Sequence, residues 1–167
     1  MIHYISGGQR SGKTNYALQL ALSLSDKPVY LATSRIWDEH HKERIEKHKT
    51  ERDQSWVNVE EEKELSKLNL DNKTVVLDCV TLWLTNFYTD NHYDITLSLQ
   101  QAQQEFDAFI QQNMQLIIIS NEIGMGVHAA TDVGRRFADL QGWMNQYIAK
   151  KADTATFMVS GIPVKIK

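Results

Sequence analysis

Cysteine occurs once in this chain of 167 residues, at Cys79, and proline only twice. A lone cysteine excludes an internal disulfide, and its place inside an apolar run points to a small buried thiol in a reducing compartment. Also missing is any apolar stretch of the length that crosses a bilayer, and the first residues lack the charged-then-apolar layout of a signal peptide. A cytoplasmic protein without a membrane span is expected. Positive charge is not in excess: eighteen Lys and Arg stand against twenty-one Asp and Glu, for a net charge of −3. Without a long basic run there is no general attraction to nucleic acid, which is not expected as a partner. The sequence shows no internal repeat, low-complexity tract or linker.

What is present is a hydrophobic content of 42%, which suits one domain over residues 1–167 and leaves too little chain for two ordinary ones. Short apolar runs alternate with helical patterns, predicting an α/β fold with a mainly parallel sheet flanked by helices. Strands are expected at Ile2–Ser6, Val29–Ala32, Trp56–Val59, Thr74–Asp78, Leu116–Ser120, Thr156–Val159 and Val164–Ile166. Helices are expected near Thr14–Leu24, Asp38–Arg52, Glu61–Leu68, Thr81–Phe87, Ile95–Gln112 and Asp132–Ala149, with Asp94 as an N-cap. Trp56–Val59 alternates apolar and polar residues, as a half-exposed edge strand does. The last two strands, around Gly161-Ile162-Pro163, read as an antiparallel pair.

Residues 7–14 read GGQRSGKT, matching the phosphate-binding pattern G-x-x-x-x-G-K-[ST] between a predicted strand and a predicted helix. Gly7 and Gly12 let the backbone fold tightly enough for successive N–H groups to point at a phosphate. Lys13 then meets charge on the outer phosphates, and the Thr14 hydroxyl is placed to ligate Mg²⁺ at the positive end of a helix. A nucleoside triphosphate is the expected ligand, on an α/β fold that is P-loop NTPase-like. The run TVVLD ends in Asp78, a carboxylate suited to the Mg²⁺ shell; the plainer alternative is a strand leading into a helix capped by Thr81.

In DEHHKERIEKHKTER, Arg44, His48 and Arg52 recur at i, i+4 and i+8, which on a helix sets an imidazole between two guanidinium groups. Such a face suits a phosphate, and a solvated charged helix is the plainer alternative. Imidazole attacks phosphorus well only when neighbouring cations hold it in line with its target.

Taken together, GGQRSGKT, YLATS (30–34), RIEKHKTER (44–52), NEIGMG (121–126), GWMNQYIA (142–149) and SGIPVKIK (160–167) resemble the bifunctional adenosylcobinamide kinase and adenosylcobinamide-phosphate guanylyltransferase family over nearly the whole chain. The resemblance implies that ATP or GTP phosphorylates adenosylcobinamide, and that GTP then donates GMP to adenosylcobinamide phosphate with release of pyrophosphate. It implies a guanylylated histidine at His48, catalytic roles for His48 and Lys13, and a homotrimer. Nucleotide contacts carry over to Gly7, Gly8, Gln9, Arg10, Ser11, Gly12, Lys13 and Thr14, to Ala32, Thr33 and Ser34, to Lys49, Thr50, Glu51 and Arg52, to Glu60 and to Asp78, with Mg²⁺ at Thr14 and Asp78. Glu60 suits a guanine reader in a desolvated pocket, since a carboxylate accepts both the ring N–H and the exocyclic amine; its plainer alternative is an exposed charge in Glu60-Glu61-Glu62.

Two departures stand out. Lys47 occupies a position where some relatives have a second histidine, and Val127-His128-Ala129-Ala130 replaces an apolar residue and proline after NEIGMG. A monofunctional small-alcohol kinase and a non-catalytic nucleotide-dependent module are the competing functions. A guanine switch would carry N-K-x-D, and Asn121-Glu122-Ile123-Gly124 does not match it.

Overall fold

Among the described residues, β-branched and apolar runs form seven strands: β1 Ile2–Gly7, β2 Val29–Ala32, β3 Val57–Glu60, β4 Thr74–Asp78, β5 Gln115–Asn121, β6 Thr154–Val159 and β7 Ile162–Lys165. The computed structural model describes residues 1–35 and 55–167. The predicted helix Asp38–Arg52, with Arg44, His48, Lys49, Thr50, Glu51 and Arg52, lies outside the described residues. The sheet order is β3-β2-β4-β5-β1-β6-β7. Every neighbouring pair is parallel except β6 with β7, which is antiparallel as expected.

Among the described residues four helices flank it: α1 Lys13–Leu24, α2 Val80–Asp90, α3 Ile95–Phe109 and α4 Asp132–Lys151. The period of two in each strand divides the core. Tyr4, Leu31, Val75, Leu77, Leu116 and Ile118 face one way, against Trp83, Phe106 and Met144 of α2, α3 and α4. Ile5, Tyr30, Val76, Ile117 and Ile119 face the other, against Ala17 and Ala21 of α1. Central strands covered on both faces read as continuous apolar runs, which is why TVVLD and QLIII show no alternation. Trp83 and Phe106 are fully buried, so truncating either to alanine costs about 3–5 kcal/mol.

Several expectations need correction. Glu61–Leu68 forms only a 3₁₀ turn, Leu65–Lys67, because the Glu61 carboxylate accepts from the amides of Lys63 and Glu64 and holds the chain in a local turn. Helix α3 stops at Phe109, short of Gln112. Asp94 does cap α3, accepting from the Leu97 amide at 2.9 Å. Thr81 is not a cap: α2 starts behind Cys79 with no side-chain cap, and the Thr81 hydroxyl instead accepts from the Asn121 side chain at 3.1 Å. The β6–β7 turn centres on Ser160 and Gly161, both at positive φ (51° and 83°), the conformation a tight two-residue hairpin requires. Pro163 is already within β7, an edge strand, where a missing N–H is tolerated. The strand expected at Trp56–Val59 is the half-exposed edge strand β3, which starts one residue later at Val57; Trp56 just before it is buried edge-on to Tyr30.

Candidate active site

The parallel strands bring their carboxyl ends to one rim. Gly7 of β1 lies opposite Asn121 of β5, Ala32 opposite Asp78, and Ala32 opposite Glu60. Ligands of open α/β sheets bind beyond this rim, and the predicted site residues that are described gather there or in the loop that follows Gly7.

That loop is strained where its sequence permits. Gly12 sits at φ 94° and Arg10 at φ 57°, left-handed turns that let successive amides face one concavity. A side chain at Gly7 would meet the Met158 carbonyl and the Ser11 hydroxyl, each at 2.7 Å, and one at Gly12 would crowd Gly161 at 3.2 Å. The hairpin turn therefore packs directly on the loop, and the Gly161 amide donates to the Ser11 carbonyl at 3.0 Å. No motif in the sequence announced this brace; the Ser-Gly pair between two strands was the available signal. Gln9 and Arg10 are exposed, while Gly8 and Thr14 are half-buried.

Lys13 opens α1 and is buried, with its ammonium folded onto the Gly8 carbonyl at 2.6 Å. Burial lowers its pKa, and the neighbouring Cys79 and Asp78 act in the opposite direction. A desolvated cation held beside a carboxylate is a ready partner for phosphate. Asp78 does not sit on the strand next to β1: β5 lies between them, and α1 packs across both β4 and β5.

Asp78 accepts a 2.6 Å hydrogen bond from the Tyr30 hydroxyl. Thr33, completely buried, has its amide on the Asp78 carbonyl. Its hydroxyl donates to the Cys79 carbonyl at 2.8 Å and accepts from the Cys79 amide at 3.0 Å. Thr33 thus staples the end of β2 to the turn that carries Asp78, and its side chain faces Cys79, away from solvent. Burial pushes the Cys79 thiol up to about 12, which makes it the inert thiol its surroundings predicted. Sequence reading missed Tyr30, taken only as a strand residue, although a tyrosine in a buried strand must find a partner for its hydroxyl.

Glu60 is exposed, not buried, because β3 is the outermost strand on that side of the sheet. Ala32 and Ser34 are half-buried beside it. At the end of β5, Ser120, Gln141 and Asn145 form a buried polar cluster, with Asn145 donating to the Asn121 carbonyl at 3.2 Å. From this anchored base the next residues run outward and expose apolar side chains, Met125 at 74% and Val127 at 97%. His128 is exposed as well.

Mg²⁺ fits the donors at the rim. Asp78 and the Thr14 hydroxyl are hard oxygen donors of the kind the ion takes alongside phosphates and water. Among the described residues no group of three His, Cys, Asp or Glu could hold a metal. No helix among them is long and apolar enough to cross a membrane.

A P-loop with its lysine buried at a helix start, on a sheet whose carboxyl ends carry a fixed aspartate, defines a nucleotide-binding α/β protein of the phosphoryl-transfer class. Residues 3–166 match the family model described as cobinamide kinase / cobinamide phosphate guanyltransferase. The chain belongs to this family and is a bifunctional cobinamide kinase and guanylyltransferase. The bifunctional adenosylcobalamin biosynthesis protein CobU of Escherichia coli is 35% identical over 100% of both chains. The bifunctional adenosylcobalamin biosynthesis protein CobP of Pseudomonas aeruginosa is 32% identical over 98% of this chain and 95% of its own. CobU of Salmonella typhimurium is 30% identical over 100% of both. A solved structure of an ATPase domain aligns at a TM-score of 0.44 and 11% identity, covering 93% of this chain and 68% of that one.

Proposed function

We propose that one domain, residues 1–167, carries out both steps on adenosylcobinamide, with the P-loop serving the triphosphate and His48 the guanylyl group. The observation that carries the reading is buried Lys13 at the start of α1, directly after the loop that follows β1, together with Tyr30-held Asp78 at the carboxyl end of β4. In the first step the hydroxyl oxygen of the corrinoid side chain attacks the γ-phosphorus of ATP or GTP, and the bond to the β-bridging oxygen breaks to leave the diphosphate. Lys13 and the loop amides of Gly7 to Thr14 neutralise charge on the phosphate oxygens, which is most of what phosphoryl transfer requires. Thr14 and Asp78 would hold Mg²⁺, which when bound would supply further charge neutralisation at the phosphates.

In the second step an imidazole nitrogen of His48 attacks the α-phosphorus of GTP and expels pyrophosphate. A phosphate oxygen of adenosylcobinamide phosphate then takes the GMP and frees His48. Splitting one displacement into two in this way is nucleophilic catalysis, with a phosphoramidate as intermediate. Ala32, Ser34, Lys49, Thr50, Glu51 and Arg52 hold the nucleotide, Thr33 acts through its staple to Cys79, and Glu60 reads guanine. The exposed apolar residues Met125 and Val127 suit the large, partly apolar corrinoid. A homotrimer is supported by Val159, Ile162, Val164 and Ile166, all exposed on one face of the terminal hairpin, and a cytoplasmic setting by the lone buried thiol of Cys79. The test is product analysis after incubating the protein with adenosylcobinamide, GTP and Mg²⁺. Corrinoid phosphate followed by the GDP-corrinoid is expected, and release of phosphate with an unaltered corrinoid contradicts the reading.

A further inference from the structure

Trp83, Asn86 and Asp90 stand at i, i+3 and i+7 of α2, hence on one stripe of the helix, and that stripe grips two separate stretches of chain. The Asn86 amide donates to the Thr33 carbonyl at 2.8 Å and to the Glu62 carbonyl at 2.9 Å. The Trp83 indole donates to the Lys63 carbonyl at 3.1 Å. Asp90 receives both terminal nitrogens of Arg35, at 2.8 and 3.2 Å, and the Lys63 ammonium at 2.9 Å. Arg35 closes the ring by donating from Nε to Glu62 at 2.7 Å. Its partners hold Arg35 firmly protonated, and Arg35 first and Lys63 second hold the Asp90 carboxyl well below the usual carboxylate range.

The two gripped stretches have a common connection. Thr33–Arg35 is where the chain sets out toward His48, and Glu62–Lys63 follows Glu60 by two residues. A two-pronged arginine fork between two carboxylates fixes direction as well as distance, which a single surface pair does not.

We infer that Arg35 and Asp90 are positioning residues for guanylyl transfer, fastening to α2 both the root of the His48 stretch and the loop behind Glu60. This rests on the roles of His48 and Glu60 given above. A nucleophile displaced by about 1 Å loses on the order of 10²-fold in rate. The kinase step draws on the P-loop and Asp78, to which Arg35 and Asp90 make none of these bonds. Asn86 is the less useful probe, since it also supports Thr33 and through it the Asp78 turn.

The experiment measures, in the same preparations of full-length protein, the rate of GMP attachment from GTP and the rate of adenosylcobinamide phosphorylation by ATP. Asp90→Ala and Arg35→Ala are expected to slow attachment by about tenfold or more while phosphorylation stays within about twofold. Arg35→Lys, which keeps the charge without the fork, is expected to fall between them and the parent. Rising salt should slow attachment in the parent more than in Asp90→Ala. Equal loss of both activities, or unchanged attachment, in whichever of the three variants folds overturns the inference. Absence of any GMP attachment in the parent removes the His48 reading itself, and so is distinguishable from an adduct that forms equally in parent and variants.

Discussion

The hydroxyl of Tyr30 on β2 donates to Oδ2 of Asp78 on β4 at 2.6 Å, and Tyr30 lies two residues before Ala32, the register partner of Asp78 at the rim of the sheet. A short bond to a carboxylate fixes its orientation. Tyr30 is itself fixed by burial and by its edge-on contact with Trp56, ring centroids 6.3 Å apart. Tyr30→Phe keeps the packing and removes the donor. Its expected result is a roughly tenfold weaker affinity for Mg²⁺-GTP, the worth of one hydrogen bond to a charged group, with little change in affinity for metal-free GTP. Titration of GTP with and without Mg²⁺ checks it, and equal weakening in both conditions would detach Asp78 from the metal.

Lys13→Ala is expected to abolish triphosphate binding while preserving the fold. The side chain meets charge that is present only with ligand, and in its absence rests on the Gly8 carbonyl. Melting should stay within about 4 °C of the parent, equivalent to about 1 kcal/mol for a chain of this size. The sign of the pH effect also follows. Because burial lowers the folded-state pKa of Lys13, the unfolded chain binds the proton more tightly. Parent stability therefore gains as pH rises from the lowered value toward the ordinary lysine value of about 10.4, and the variant lacks that gain. Calorimetry across that interval, paired with GTP titration, measures both.

Glu60→Gln addresses guanine selection. Glu60 lies at the end of the edge strand, opposite Ala32 and exposed, so its desolvation must come with bound nucleotide. A carboxylate accepts both guanine donors, whereas an amide accepts through one oxygen and turns an NH₂ toward the other. The expected outcome is a GTP preference over ATP, in GMP or AMP attachment, that falls by about 10-fold to 10²-fold in the variant. An unchanged preference would leave Glu60 as one member of the acidic run Glu60-Glu61-Glu62 and transfer base reading to other groups.

The residues legible in the sequence were those whose chemistry is local. Gly7 through Thr14 carry a spacing pattern within eight residues, Asp94 caps three residues ahead, and unbroken runs such as TVVLD reveal a strand buried on both faces. Distant pairing was less visible. Tyr30 finds Asp78 across 48 residues and Asn86 finds Thr33 across 53, separations at which neither spacing nor propensity carries a signal. Asn86 did leave a trace, as a polar residue at i+3 from Trp83 and directly before the apolar Phe87, in a helix whose buried residues are otherwise mostly apolar. The 61–68 stretch misled for a comparable reason: its composition favours helix, but the Glu61 carboxylate captures the Lys63 and Glu64 amides locally. The alternation in 56–59 correctly marked an edge strand, while the partner that buries Trp56, Tyr30, lies too far away in sequence to be read.

The central claim is that guanylyl transfer passes through His48, and intact-mass measurement with peptide mapping after incubation with GTP and Mg²⁺ tests it most directly. The account predicts one added GMP, on the peptide containing His48, labile to acid and stable to alkali because protonating a phosphoramidate nitrogen makes it a better leaving group. His48→Asn should lose the adduct and GMP transfer yet keep much of the kinase activity. A GMP found on Lys47 or Lys49, or full GMP transfer by His48→Asn, would contradict the account.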